Sequence, residues 1–257
     1  MTSKRPNILL TNDDSHDSPL FHHTIDALAR LGDLTVVVPA EEQSWKGKSM
    51  TRYGPLYAEH IDVHDYPAWS VTGTPADCVN LAIYDLLDQR PDIVVSGVNI
   101  GKNVGLGFMF SSGTVGACFE ANIAGIPALA LSQELKPEDF QHWDRERGFK
   151  ADIAAHLKSF SDHLIPLVWN DLVSIKDPEP TTWNVNFPFT QSRISDIVVT
   201  RLGHTYYEGC FVRRGDRFHH GLSSVQIDPS PDTDEMVIQS GRVSATKLDM
   251  RVLGQQI

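Results

Sequence analysis

The sequence has little of what would place it in a membrane, outside the cell or on a nucleic acid. No apolar run approaches the roughly 20 residues that cross a bilayer. The first six residues lead into only a short apolar stretch before Asp13-Asp14, so the apolar segment of a secretory signal is missing. Cysteine is scarce: Cys78, Cys118 and Cys210 are scattered, and none forms a metal-type pair. Three reduced thiols in a cytoplasmic protein are the expectation. Positive charge is short as well. The formal net charge of -11 argues against a broad basic face for a nucleic-acid polymer. Internal repeats and low-complexity tracts are absent.

What is present reads as α/β. With 257 residues, 41% hydrophobic and 21% charged, the chain has the makings of one large globular domain, or a core plus an extension. Ile8 to Leu10 is a short apolar run bounded by Pro6 and by polar residues, which suits a buried strand. A helix is expected over 18–31, with Phe21, Ile25 and Leu28 on one face and Gly32 to end it. A second apolar strand over 34–38 completes a βαβ unit. Further strands are expected over 67–72, 93–96, 128–131, 183–187 and 194–202. Thr74-Pro75-Ala76-Asp77 has the form of a capping box opening a helix. A long amphipathic helix is expected over 149–168, a short one over 233–239 and a last strand over 242–250. From His204 to Ser230 the pattern breaks, and no period is evident.

Chemistry gathers where strands end. The first strand runs straight into Asn12, Asp13 and Asp14. Alone, such a triplet is ordinary turn material. At the carboxyl end of a parallel strand it lies where α/β sheets bind ligands. Two adjacent carboxylates repel each other, and a hard divalent cation such as Mg²⁺ is the simplest neutralising partner. The polar loop over 41–51 holds Ser44 and lysines. The strand over 93–96 leads into a loop punctuated by Gly97, Gly101, Gly105 and Gly107, with Asn99, Lys102 and Asn103 among them. It matches neither the Walker pattern nor the dinucleotide fingerprint. Ser111, Ser112, Gly113 and Thr114 then open a helix that ends near Gly125. Hydroxyls there are common caps; they are also what an anion site at a helix start needs.

The ordered set of blocks resembles the SurE family, the stationary-phase survival proteins, which are metal-dependent 5'/3'-nucleotidases. The blocks are Ile8-Leu-Leu-Thr-Asn-Asp-Asp14, Ser44 with Ser49-Met-Thr51, and Val71-Thr-Gly-Thr-Pro-Ala-Asp-Cys-Val79. They continue with Pro91-Asp-Ile-Val-Val-Ser-Gly-Val-Asn99, Asn103-Val-Gly105, and Ser112-Gly-Thr-Val115 through Gly125-Ile-Pro-Ala128. Weaker echoes stand at Asn184-Val-Asn-Phe-Pro188, Val199-Thr-Arg-Leu-Gly203, and Asp232-Thr-Asp234 with Gly241-Arg-Val-Ser244. The resemblance implies a Rossmann-like, doubly wound, mostly parallel sheet. It implies a core over 1–203 and an extension over 204–257 with an arm swapped between subunits of a homodimer or homotetramer. One divalent metal per subunit, Mg²⁺ or Mn²⁺, would be held by Asp13, Asp14, Ser44 and Asn99, with Asp13 and Asp14 catalytic. Phosphate would meet Asn12, Asn103, Gly105, Ser111, Ser112, Gly113 and Thr114. The implied reaction is hydrolysis of nucleoside 5'- and 3'-monophosphates by metal-activated water, with no nucleic-acid polymer or membrane as partner.

The chain departs from the family pattern in four places. Ser15 follows the aspartate pair where glycine is usual. Glu41, Glu42 and Gln43 replace basic residues before Ser44. An acid often found after Asn-x-Gly is missing, and residues 106–111 form a slightly longer segment. These departures motivate a second reading, a nucleotide-binding protein of the same fold that has lost its catalysis. A haloacid-dehalogenase-type phosphatase needs its two aspartates two residues apart, which adjacent Asp13 and Asp14 do not offer.

Overall fold

A computed structural model describes residues 5–173, 179–190 and 197–253 of the chain. Its strands are β1 (Asn7–Thr11), β2 (Asp33–Pro39), β3 (Ala58–Val63), β4 (Tyr66–Val71), β5 (Ile93–Ile100), β6 (Ala128–Gln133), β7 (Thr182–Phe187), β8 (Ile197–Thr200), β9 (Tyr206–Tyr207), β10 (Phe211–Arg214), β11 (Arg217–His220), β12 (Val225–Gln226) and β13 (Val243–Leu248). Its helices are α1 (Pro19–Leu28), α2 (Pro75–Leu81), α3 (Gly105–Ser111), α4 (Gly113–Ile123), α5 (Pro137–Glu146), α6 (Ala151–Val168) and α7 (Asp234–Gln239). The beginning of the strand expected over 194–202 lies outside the described residues.

Nine strands form one sheet in the order β3-β4-β2-β1-β5-β6-β7-β13-β8. The run from β4 to β7 is parallel throughout. β3 is antiparallel to β4, β13 is antiparallel to β7, and β8 runs parallel to β13. This is the mostly parallel, doubly wound sheet expected. β1 shows why its sequence is an unbroken apolar run. Ile8 and Leu10 pack into the cluster that holds Phe21 and Ile25 of α1 and Leu157 and Leu164 of α6. Leu9, pointing the other way, joins Val79 of α2 and Val115 and Cys118 of α4. A strand covered on both faces has no polar side to show.

The strand order fixes where a ligand can bind. From β1 the chain moves outward to β2 and β4, then returns to lay β5 on the other side of β1. The order reverses between β1 and β5, and the crevice at their carboxyl ends is where doubly wound folds bind ligands.

Four segments differ from expectation, each for a physical reason. β3 is a largely exposed edge strand, so its AEHIDV sequence carries no apolar face. The β3–β4 turn uses His64 and Asp65 at φ 51° and 59° instead of the usual Asn-Gly. Residues 105–111 form helix α3 despite two glycines, because both face the segment after Gly203. A Cβ on Gly105 would lie 2.4 Å from Thr205 Cβ. α5 is charged and mostly exposed, with Trp143 its one buried large apolar side chain. In the stretch 204–230, β10 and β11 form a hairpin exposed at every residue, so neither face produces alternation. The chain then returns to the sheet through α7 and β13.

Candidate active site

The crevice between β1 and β5 is floored by the acidic pair. Asp13 is 4% exposed. Its Oδ1 accepts a 2.6 Å hydrogen bond from Thr114 Oγ1. The start of α4 is turned toward the same carboxylate, and the Thr114 N–H there favours its charged form. Gly113 makes that approach feasible: a Cβ there would lie 2.9 Å from Asp13 Cβ. Asp14 Oδ2 accepts from Ile100 N–H at 2.8 Å, which ties it to the end of β5 beside Asn99. Burial holds Asp13 above its ordinary pKa despite the Thr114 hydrogen bonds. Burial, then the charge of Asp13, push Asp14 well above the carboxylate range.

Asn99 reaches the crevice through an irregularity. Pairing of β5 with β6 shifts register between Ser96 and Asn99. The N–H of Val98, freed from the ladder, donates to Thr24 Oγ1 at 3.0 Å. Asn99 Nδ2 donates to Gly101 O at 3.2 Å, which leaves Oδ1 as the atom available to a cation.

The loop carrying Ser44 is pinned along its length. Gln43 N–H donates to Asp13 O at 2.8 Å and Gly47 N–H to Ser111 O at 2.9 Å. Thr51 Oγ1 donates to Asp77 Oδ2 at 2.7 Å. That carboxylate also accepts from Thr74 N–H in the expected capping box. Ser44 Oγ donates to Glu42 Oε1 at 2.7 Å. Glu42 Oε2 in turn meets Arg147 Nη1 at 2.6 Å. The Glu42 charge acts on both aspartates, and Arg147 partly offsets it at Asp14. The acid that replaces a basic residue before Ser44 thus brings its own cation from the end of α5.

The other expected residues divide. Asn12 sits in the floor, its Nδ2 bonded to Ser15 O at 2.6 Å. Its buried Oδ1 has no hydrogen-bond partner among the described residues. Ser112 is the N-cap of α4, accepting from Val115 N–H at 3.2 Å. Ser111 is committed elsewhere, donating to Gly107 O and lying 2.6 Å from Tyr207 Oη. Asn103 belongs to a buried amide network: its N–H donates to Asn186 Oδ1 and its Nδ2 to Ser132 Oγ. Gly105 N–H donates to Asp234 Oδ2 at 2.7 Å. That carboxylate also takes N–H bonds from Gly203 and Glu235. Burial nevertheless keeps its pKa raised. An acid from the start of α7 thus lies against the Asn-x-Gly segment.

Two contributors escaped the sequence: Arg147 lies far along the chain from the residue it serves, and Thr24 looks like any helix residue. Asp234 was legible within the Asp232-Thr-Asp234 echo and as the acid after a capping threonine, but its partners Gly105 and Gly203 were not.

The family model described as survival protein SurE matches residues 8–209. The chain belongs to the SurE family. It is 33% identical over 252 residues to the 5'-nucleotidase SurE of Methanopyrus kandleri, covering 96% of this chain and 92% of that one. The 5'-nucleotidase SurE of Geobacter metallireducens is 37% identical over 250 residues, covering 95% and 91%. The crystal structure of the SurE protein from Aquifex aeolicus superposes with a TM-score of 0.71 at 30% identity, covering 97% of this chain and 95% of that one. SurE membership implies dependence on a divalent metal, and the crevice fits one. Each aspartate has one oxygen held by a protein donor and one left over. Asp13 is buried, Asp14 is half-buried beside it with its charge raised in energy by Asp13, and Asn99 adds a neutral amide oxygen from the end of β5.

Ser15 is the SurE departure with a measurable cost. Its φ is 70°, where glycine is at ease and serine is strained. Ser15→Gly should raise stability by about 0.5–1 kcal/mol. A denaturation midpoint lower than that of the parent chain would contradict this account.

Proposed function

We propose that this chain hydrolyses nucleoside 5'- and 3'-monophosphates to nucleoside and phosphate. The observation that carries the reading is the aspartate pair. Asp13 is held through Oδ1 by the Thr114 hydroxyl and Asp14 through Oδ2 by Ile100 N–H, and the second oxygen of each is the one that would bind a cation. We assign Asp13, Asp14, Asn99 and Ser44 as the residues that would hold one Mg²⁺ or Mn²⁺. Bound there, the ion supplies Lewis acidity toward a phosphoryl oxygen and lowers the pKa of an attacking water. The chain does the rest. Ser44 has to leave Glu42, which Arg147 keeps neutralised when it does. The Ser112 hydroxyl and the Gly113 N–H at the start of α4 are the donors assigned to the charge that develops on phosphorus, and Asn12, whose Oδ1 is a buried acceptor, underlies them. Asn103, Gly105 and Ser111 shape this cradle from behind, through Asn186, Asp234 and Tyr207. Water attacks phosphorus, the P–O bond to the nucleoside breaks, and the nucleoside leaves as its alcohol.

The exposed β10–β11 hairpin suits an arm exchanged between subunits of a homodimer or homotetramer. Phe211 is 68% and Phe218 64% exposed in the single chain. Burying such rings against a second copy would recover apolar area. We place the protein in the cytoplasm, in keeping with its free Cys78, Cys118 and Cys210.

The test is phosphate release from AMP and GMP after dialysis against a chelator. Release should vanish on metal removal and return with Mg²⁺ or Mn²⁺. A rate unaffected by chelation overturns the metal assignment. Binding of AMP with no release under any metal would favour the catalytically silent reading that the acidic Ser44 loop suggested.

A further inference from the structure

The loop that carries Ser44 also carries a tryptophan where the backbone resists one. Lys46 N–H donates to Gln43 O at 3.3 Å, closing a turn over residues 43–46. Trp45, third in that turn, has φ 63°. Turns that need positive φ at this position place glycine or asparagine there, and a bulky L-residue is disfavoured. The neighbouring anchors bracket the ring beside the crevice, since Gln43 is bonded to Asp13 and Gly47 to Ser111.

Three other rings gather around the indole. Centroid distances are 6.0 Å to Phe108 of α3, 5.1 Å to Tyr207 of β9 and 4.7 Å to His220 of β11. The interplanar angles are 63°, 68° and 60°, so no partner lies flat on Trp45. Trp45 stays 39% exposed. Simple anchoring of the C-terminal segment would favour burying the largest ring, and an unstrained residue would serve it better. A tilted cage with its widest ring still open is instead suited to receive one more planar group, face to face.

We propose that Trp45, flanked by Phe108, Tyr207 and His220, is the platform on which the base of the substrate stacks. The proposal rests on the phosphomonoesterase reading of the neighbouring crevice and adds its specificity. Stacking tolerates every base and rewards ring area, so purine nucleotides should be preferred over pyrimidine nucleotides, and both over phosphate esters without a planar base.

The experiment compares kcat/KM for AMP with that for ribose 5-phosphate, in the parent chain, Trp45→Phe and Trp45→Gly. The parent should favour AMP. In Trp45→Gly that preference should fall roughly 10- to 100-fold, mainly through KM, and Trp45→Phe should keep most of it. Glycine relieves the positive φ and so offsets part of the lost ring contacts, and the melting temperature of each variant, measured alongside, separates lost selectivity from misfolding. Equilibrium dialysis with adenosine gives a readout free of catalysis: binding should weaken by the same factor. An unchanged AMP preference, or unchanged adenosine binding in Trp45→Gly, overturns the platform. If neither ester is hydrolysed, the phosphomonoesterase reading fails by itself, and adenosine binding still decides the platform.

Discussion

Asp14→Asn should reduce metal-dependent phosphate release from AMP by a factor of about 10³ or more, and Asp13→Asn should do the same. The substitution is nearly isosteric, and the side-chain oxygen that accepts from Ile100 N–H can be kept. What goes is one of two negative charges on the cation and one charged ligand. A loss of activity together with a loss of metal affinity, seen by calorimetry, is the expected pair of results. Activity within threefold of the parent would remove Asp14 from the site.

The same variant has an opposite effect on the metal-free fold. Burial and Asp13 raise the Asp14 pKa, so the folded chain holds that proton more tightly than the unfolded chain does. Stability is then fully present below the ordinary aspartate value of 3.8 and is lost as pH climbs toward the folded-state value. Asp14→Asn escapes this loss. With chelator present, its melting temperature should exceed the parent's at neutral pH, and the gap should close in acid. In a chain of this size each kcal/mol recovered corresponds to about 2–4 °C. A residue that stabilised the apo fold would show the reverse. Such a cost is expected of a pair kept for chemistry.

Much of this site could be read before any coordinates, because its chemistry is local. The strand ending in Asn12-Asp13-Asp14 needs only an apolar run and the rule that ligands gather at parallel strand ends. The capping box at Thr74 is likewise written in four residues, and it forms. Hydroxyls before a helix were legible as donors, but not as to their target. Thr114 spends its hydroxyl on Asp13, and Ser111 pairs with Tyr207, nearly a hundred residues on. Sequence spacing cannot distinguish a threonine that grips phosphate from one that grips the carboxylate beside it.

The illegible features share a cause: their partners are distant and their own patterns weak. Helix α3 forms against its propensity because Leu106 N–H and Gly107 N–H donate to Gly203 O and Thr205 O across a close approach. Arg147 matters through Glu42, a residue more than a hundred positions earlier. The β10–β11 hairpin shows no period because each of its residues stays exposed, so neither face selects for apolar side chains. The family resemblance supplied the order of the blocks; the cross-links between them had to come from the packing.

The bulge that delivers Asn99 predicts the largest loss of stability. Gly97 has φ 117°, a region closed to side chains, and a Cβ there would sit 2.2 Å from Leu131 O and 2.9 Å from Asn99 N. Neither atom can yield easily. Leu131 lies in the middle of β6, and Asn99 resumes the β5–β6 ladder opposite Ser132. Gly97→Ala must therefore strain its own backbone and force β5 away from β6, at a combined cost of roughly 3–5 kcal/mol. The damage should reach the site, since the Val98–Thr24 and Ile100–Asp14 bonds hang on the same bulge. Gly54→Ala is the control: φ is 84°, with nothing within 4 Å of the added Cβ. It should cost only about 1–2 kcal/mol for the conformation alone. Urea denaturation of both variants separates the two contributions. Equal midpoints would mean that the strands accommodate the methyl group, and that β5 does not hold Asn99 and Asp14 in place through a rigid bulge.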